Sequence, residues 1–267
     1  MNNKLRSYTK DNPEKLEFEA ITSKASIHKV IEPPLNINVD SRYIKPESYE
    51  EVQSFIVIFS GGEVREKDYF QILSSNVELF PNFRHKYLAE PNFNPGGEPR
   101  IFDFAEDIIK RYKSSQSDTV PDRYYIISDV DHFYQSLVEN QERCKTMGAS
   151  LIISNPCFEV WLYYSKFTDP FVGCPIPQDD SKLSRAVKSF YNRSGTIQTK
   201  SAILDIVNNI ENAKANYQEN EQLIPVRFST NMYRFAEEIL PFISAGISKI
   251  KKDREERIAQ YKSQNKK

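Results

Sequence analysis

Asp129-Val130-Asp131 closes the apolar run Tyr124-Tyr125-Ile126-Ile127-Ser128. A near-continuous hydrophobic run predicts a strand buried on both faces. Two carboxylates two residues apart leave the end of such a strand on the same side. Held close together they raise each other's pKa, a cost that a cation relieves. Oxygen-only ligands select a hard ion, Mg²⁺ or Mn²⁺, over zinc. Ligands of open α/β sheets collect at the carboxyl ends of the strands, so this pair is a candidate metal site. The tripeptide alone also has plainer explanations. Asp131 is of a type favoured as the N-cap of a helix beginning near Phe133, and Asp129 suits an exposed loop.

Two further stretches carry residues of the same chemistry. Ser60-Gly61-Gly62-Glu63-Val64-Arg65-Glu66 follows the apolar run over 54–60. Glycines at a strand-to-helix turn let backbone approach a ligand closely. Glu63 and Glu66 bring carboxylates to the start of the next helix, where the helix dipole alone also favours them. A phosphate-cradling loop is a poor fit, because GxxxxGK[ST] is absent. Ser154-Asn155-Pro156-Cys157-Phe158-Glu159 follows the run over 150–154, with Asn155 and Glu159 at another helix start. Glu159 fits either a carboxylate at the metal, directly or behind its ligands, or a first-turn helix charge.

The elements that must position these residues alternate in type. Strands are expected over 54–60, 84–89, 124–128 and 150–154. Helices are expected over 65–77 and 101–112, each on an apolar stripe of helical spacing, over 133–147, ended by Gly148, and over the aromatic stretch 158–167. That rhythm predicts an α/β fold with a parallel sheet. Right-handed crossovers from a central first strand set the first and third strands side by side. Their carboxyl ends then form one crevice holding both 61–66 and 129–131. Residues 1–50 are polar, of mixed charge and rich in proline, and read as an arm with short strands over 25–30 and 35–39. Residues 51–170 read as the core, and 171–267 as a helical region with helices over 182–191, 202–217 and 230–261. The last of these reads as one long or broken helix, with Pro241 and Gly246 as the candidate interruptions. Its end, from Lys249 to Arg257, mixes both charge signs, as a solvated helix end does.

Composition sets outer bounds. With 267 residues, 39% hydrophobic content, 17 Phe and 15 Tyr, the chain can fill a sizeable core. A net charge of -1 makes no global case for nucleic-acid binding, so any basic surface must be local. Cys144, Cys157 and Cys174 form no close pair, which suits a reducing compartment, and Cys157 lies in an apolar context that suits a small buried hydrophobe. His28, His85 and His132 are scattered, which argues against zinc. His132 alone lies near the acidic pair, where it fits an ordinary loop donor. No signal peptide or transmembrane-length run is evident, so a cytoplasmic protein is expected, with no membrane partner.

These stretches together resemble the RloB-like family of bacterial defence-associated proteins, which carry a Toprim-type domain. The segment Gly61 to Phe70 resembles the family's EGE-x-TE-x-x-YF. Asp129 and Asp131 resemble its DxD, and Ser154-Asn155-Pro156-Cys157-Phe158-Glu159-Val160-Trp161-Leu162 its SNP-x-FE-x-WL. Weaker similarity extends through 210–214 and 228–233, so the resemblance covers roughly residues 54–240. It implies a Toprim-like parallel-sheet core with helices on both faces, followed by a helical C-terminal region. It also implies a Mg²⁺-dependent nuclease acting on DNA or RNA, tRNA being one candidate, encoded beside an ATPase that restrains or triggers it. In that frame Asp129 and Asp131 hold one cation, and Glu66 or Glu63 bridges to it or holds a second. Asn155 and Glu159 stand behind the ligands, and Arg65, Lys67 or Lys200 offers charge to the phosphate. The family's leading glutamate falls here on Gly61 and its threonine on Arg65. The same likeness therefore also accommodates a non-catalytic relative that binds, senses or docks on a partner. A phosphotransferase of the haloacid-dehalogenase kind is a third reading of Asp129-x-Asp131, although such enzymes place the motif after the first strand. The helical C-terminal part offers a face for self-association.

Overall fold

A computed structural model describes residues 54–264, apart from 63, 91–99, 116–119, 132, 170 and 196. The strands expected over 25–30 and 35–39, and the site candidates Glu63 and His132, lie outside the described residues. Contacts divide the chain into Met1–Val52 and Gln53–Lys267, and the second unit carries the described fold.

Four parallel strands form one sheet: β1 (Ser54–Ser60), β2 (Phe83–Ala89), β3 (Arg123–Asp129) and β4 (Ala149–Ser154), in the order β2-β1-β3-β4. β1 is an interior strand, and its apolar sequence follows from being covered on both faces. On one face Phe59 meets Phe104 edge-to-face at 5.9 Å, from helix α2 (Ile101–Ser114). Helix α3 (Tyr134–Met147) packs beside α2. On the other face Ile56 and Ile58 join one core with Tyr69 and Phe70 of helix α1 (Arg65–Ser75). Helices therefore cover both faces, the α/β arrangement expected and consistent with a Toprim-like core.

The C-terminal helices extend that second core. They are α4 (Glu159–Tyr163), α5 (Leu183–Ser194), α6 (Thr199–Ala202), α7 (Ile206–Ala215) and α8 (Met232–Gln264). Trp161 of α4 is fully buried and meets Tyr69 at 6.3 Å, while Val187, Ile210, Phe235 and Ile239 complete the layer. Cys157 is buried in the same core and unpaired, as a small hydrophobe would be. Among the described residues no helix is long and apolar enough to cross a membrane.

Two of the expected helices come out shorter, the first of them the one expected over 158–167, which spans only Glu159–Tyr163. The helix expected over 202–217 is broken by a tight 3-10 turn at Ile203–Asp205. Ala202, Ile203, Leu204 and Ile206 are all buried, more than one α-helical face accommodates, and the tighter turn brings them inward together. Of the two readings of the last helix, long or broken, the long one holds, since the helix runs on through both Pro241 and Gly246. Pro241 removes a single N–H, and both Pro241 and Glu237, whose carbonyl loses that donor, are exposed to water. The buried stripe of Ile239, Ile243 and Ile247 continues across the proline and holds the helix against the core. Gly246 is a packing residue, since a Cβ there would lie 2.4 Å from Cε1 of Phe80.

Candidate metal centre

The topology brings the two expected stretches together. Ser60 of β1 lies opposite Ile127 of β3, so both strands release their chains at one end of the sheet. A cavity of about 430 Å³ opens there, lined by Glu66, Asp129, Asp131 and Glu159 among others. Its apolar walls include Ile101, Ile127 and Phe133.

The β3 turn is held from the neighbouring SNP segment. Val130 N donates to Ser154 O at 3.0 Å, and Asp131 N donates to Pro156 O at 3.1 Å. Asp131 takes a positive φ of 24°, which turns the chain sharply after the strand. Its side chain does not cap α3, whose N-cap is Phe133 with no side-chain hydrogen bond. The Asp129 side chain is 20% exposed overall, yet its Oδ1 is enclosed and without a hydrogen-bond partner among the described residues. Burial, and then the charge of Glu66, hold this carboxyl well above the usual carboxylate range, against the pull of Lys188.

Glu66 sits in the first turn of α1 and is buried. Its carboxylate lies directly over Gly62, where an added Cβ would fall 1.9 Å from Oε2. The Gly62 backbone is fixed on both sides. Its N–H donates to Ser60 Oγ at 3.0 Å, and its carbonyl accepts from the Tyr87 hydroxyl. Burial pushes the Glu66 carboxyl up to about 7. Its backbone hydrogen bond pulls the other way, the nearby Glu159 adds to the rise, and Lys188 and Arg65 oppose it.

A carboxyl whose folded value exceeds its unfolded value adds stability below the unfolded pKa, and that contribution is lost as pH rises through the folded value. Cation-free protein therefore weakens through this residue as pH climbs from 4.5 to about 7. Glu66→Gln, which does not ionise, is expected to gain on wild type across that window, by up to about 3 kcal/mol. Melting curves in EDTA at the two ends of the window measure the gain. An advantage no larger at the upper end than at the lower contradicts the buried charge.

The remaining expected residues divide. Glu159 is buried and lies 3.6 Å from Nε of Arg65. Arg65 lines the cavity, donates to Thr199 Oγ1 at 3.0 Å and to Asn192 Oδ1, and lies over the Tyr191 ring. It thereby ties the first helix to the C-terminal helices. Asn155 faces elsewhere, its amide donating to Pro225 O at 2.7 Å. Lys67 is exposed and does not line the cavity. Lys200 is 3.8 Å from Asp68 and is likewise not part of the lining.

Two charged lining residues, Lys188 and Glu90, were not anticipated. Lys188 of α5 reaches Asp129 Oδ2 at 3.9 Å and Asp131 Oδ2 at 4.0 Å. Burial disfavours its charge, but Asp129, Cys157, Glu159 and Asp131 overcome that and raise its pKa. No local pattern distinguishes it from other surface lysines. Glu90 follows β2 directly and is 3% exposed. The rule that ligands gather at the carboxyl ends of parallel strands marks that position.

A family model for RloB-like proteins matches residues 56–239. The chain belongs to the RloB-like family. No curated protein and no solved structure matches it. In this RloB-like chain the described ligating side chains that line the cavity are carboxylates, the set a hard dication takes. The enclosed, partnerless Oδ1 of Asp129 is what such an ion would satisfy, and Asp129, Asp131 and Glu66 are the residues that would hold it. Among the described residues no group of three or more His, Cys, Asp or Glu side chains is placed so as to hold a metal ion as they stand.

Proposed function

We propose that this chain is a divalent-metal-dependent nuclease that hydrolyses phosphodiesters of DNA or RNA, tRNA among them, as an effector of bacterial anti-phage defence. The observation that carries the reading is Asp129 Oδ1, enclosed without a partner in a cavity that Glu66 and Asp131 also line. When bound, Mg²⁺ or Mn²⁺ would polarise the scissile phosphate and lower the pKa of an attacking water. Asp129, Asp131 and Glu66 would hold the cation, and Glu63, next to Gly62 in the sequence, is a further candidate. Ile101, Ile127 and Phe133 supply apolar lining to the cavity. Arg65, braced by Glu159, and Lys188 present positive charge for the phosphate, the dominant contact in nucleic-acid affinity. An ATPase partner and self-association through the C-terminal helices belong to the same reading.

One observation favours a second reading. Lys188 Nζ stands within 4.0 Å of both Asp129 and Asp131, where an ammonium does the neutralising work of a cation. Together with Gly61, that describes a catalytically silent relative that binds or regulates a partner ATPase.

The two are separated by incubating the protein with plasmid, single-stranded DNA and bulk tRNA in Mn²⁺ or EDTA, with the Asp129→Ala/Asp131→Ala variant as control. Cleavage in Mn²⁺ alone, absent from the variant, is the expected result. No cleavage of any substrate, together with no calorimetric uptake of Mn²⁺, overturns the nuclease reading and leaves the silent one.

A further inference from the structure

Gly61 occupies the place where the family pattern puts a carboxylate, at the end of β1. The strand beside it fills the gap. β1 and β2 run parallel with Ser60 opposite Ala89, and Glu90 N donates to Ser60 O at 2.8 Å. One step beyond the paired residues, Glu90 is therefore the lateral neighbour of Gly61, about one strand spacing (roughly 4.8 Å) away.

Glu90 is 3% exposed and lines the same cavity as Glu66, Asp129 and Asp131. Its Oε1 accepts from Arg100 N at 2.9 Å, at the start of α2. Its Oε2 is enclosed and has no hydrogen-bond partner among the described residues. The bond to Arg100 gives Glu90 a structural task, but an amide would perform that task equally well. A carboxylate with one oxygen anchored and the other buried and unsatisfied is an unfavourable choice for a loop staple. It is a suitable choice for a ligand, because the anchored oxygen orients the free one.

We infer that Glu90 supplies, from the end of β2, the metal-binding carboxylate that Gly61 lacks at the end of β1. The inference rests on the metal-dependent reading above and adds a ligand to it. The donor set of this chain then spans three adjacent strand ends, with Glu90 after β2, Glu66 after β1, and Asp129 with Asp131 after β3.

Calorimetric titration of the full chain with Mn²⁺ tests it without recourse to activity. Glu90→Gln keeps an acceptor for Arg100 N, so its melting temperature in EDTA is expected to match or exceed that of wild type. Its Mn²⁺ affinity is expected to fall about tenfold or more, the size of a lost ligand interaction. Adding Gly61→Glu to Glu90→Gln is expected to restore affinity to within about threefold of wild type, with folding read from the same melting curves. Glu90→Gln that binds Mn²⁺ as wild type does overturns the inference while leaving the metal site standing. A folded double variant that stays as weak as Glu90→Gln overturns the exchange of one strand end for the other. Wild type that takes up no Mn²⁺ overturns this inference and the metal-dependent reading together.

Discussion

Asp129→Asn is expected to reduce Mn²⁺-dependent cleavage about a thousandfold or more, equivalent to about 4 kcal/mol of barrier, while making the cation-free protein more stable. The two effects have one origin. Asn keeps the shape of the side chain and an oxygen, but not the charge that a hard dication requires. The same charge is unfavourable in the folded protein without a cation, because burial and Glu66 both oppose it. The sign with pH follows from the raised folded value. Wild type carries the penalty only where Asp129 must ionise, so the variant should equal wild type in acid and lead it at neutral pH and above. The gain reads as a rise in melting temperature, about 2–4 °C for each kcal/mol in a domain of this size. Excess Mn²⁺ should reverse the order, since a ligand at about a hundred times its Kd adds about 2.7 kcal/mol to the state that binds it. Melting curves in EDTA and in Mn²⁺, beside a cleavage assay, record all three. A variant less stable than wild type in EDTA would make Asp129 chiefly the partner of Lys188, and the silent reading would gain.

What the sequence made legible was backbone logic. Apolar runs ending in Gly61-Gly62 and in Asp129 identified two buried strands, and the handedness of crossovers made them neighbours, which the pairing of Ser60 with Ile127 bears out. Glu66 and Asp131 could be assigned to one crevice for that reason. What escaped depended on long-range packing. Lys188 reaches the site because α5 folds against α4 and α1, and nothing in its own helix signals that. Asn155 looked like a site residue because it sits in a specific motif, yet its side chain donates to Pro225 O while its backbone pairs with Phe228 and Ser229, fastening that segment to the end of β4. The motif shapes the site indirectly, through Pro156 O and the Asp131 N–H. Pro241 left the last helix open between long and broken, and a continuous buried stripe outweighed the local rule about hydrogen bonds.

Gly62→Ala is expected to lower cleavage by about a hundredfold or more, near 3 kcal/mol of barrier, with little change in stability. The new Cβ would fall 1.9 Å from Oε2 and 2.0 Å from Cδ of Glu66, far inside contact distance. Either the backbone moves or Glu66 does. The backbone is held by the bond from its N–H to Ser60 Oγ and by the Tyr87 hydroxyl on its carbonyl. Glu66 instead ends in a flexible chain whose ionised form is disfavoured where it lies. Rotation of Glu66 out of the cavity is thus the cheaper response, and it removes a ligand without opening the core. The double variant Gly62→Ala/Glu66→Gln settles the route. If Gly62→Ala acts only by evicting Glu66, removing that carboxylate as well should cost nothing further, the non-additivity expected of two changes on one interaction. Mn²⁺ affinity should follow the same pattern. A double variant markedly worse than either single one would mean that the alanine also disturbs the turn itself. Full cleavage by Gly62→Ala would remove Glu66 from the ligand set and leave Asp129, Asp131 and the ends of the other strands to hold the ion.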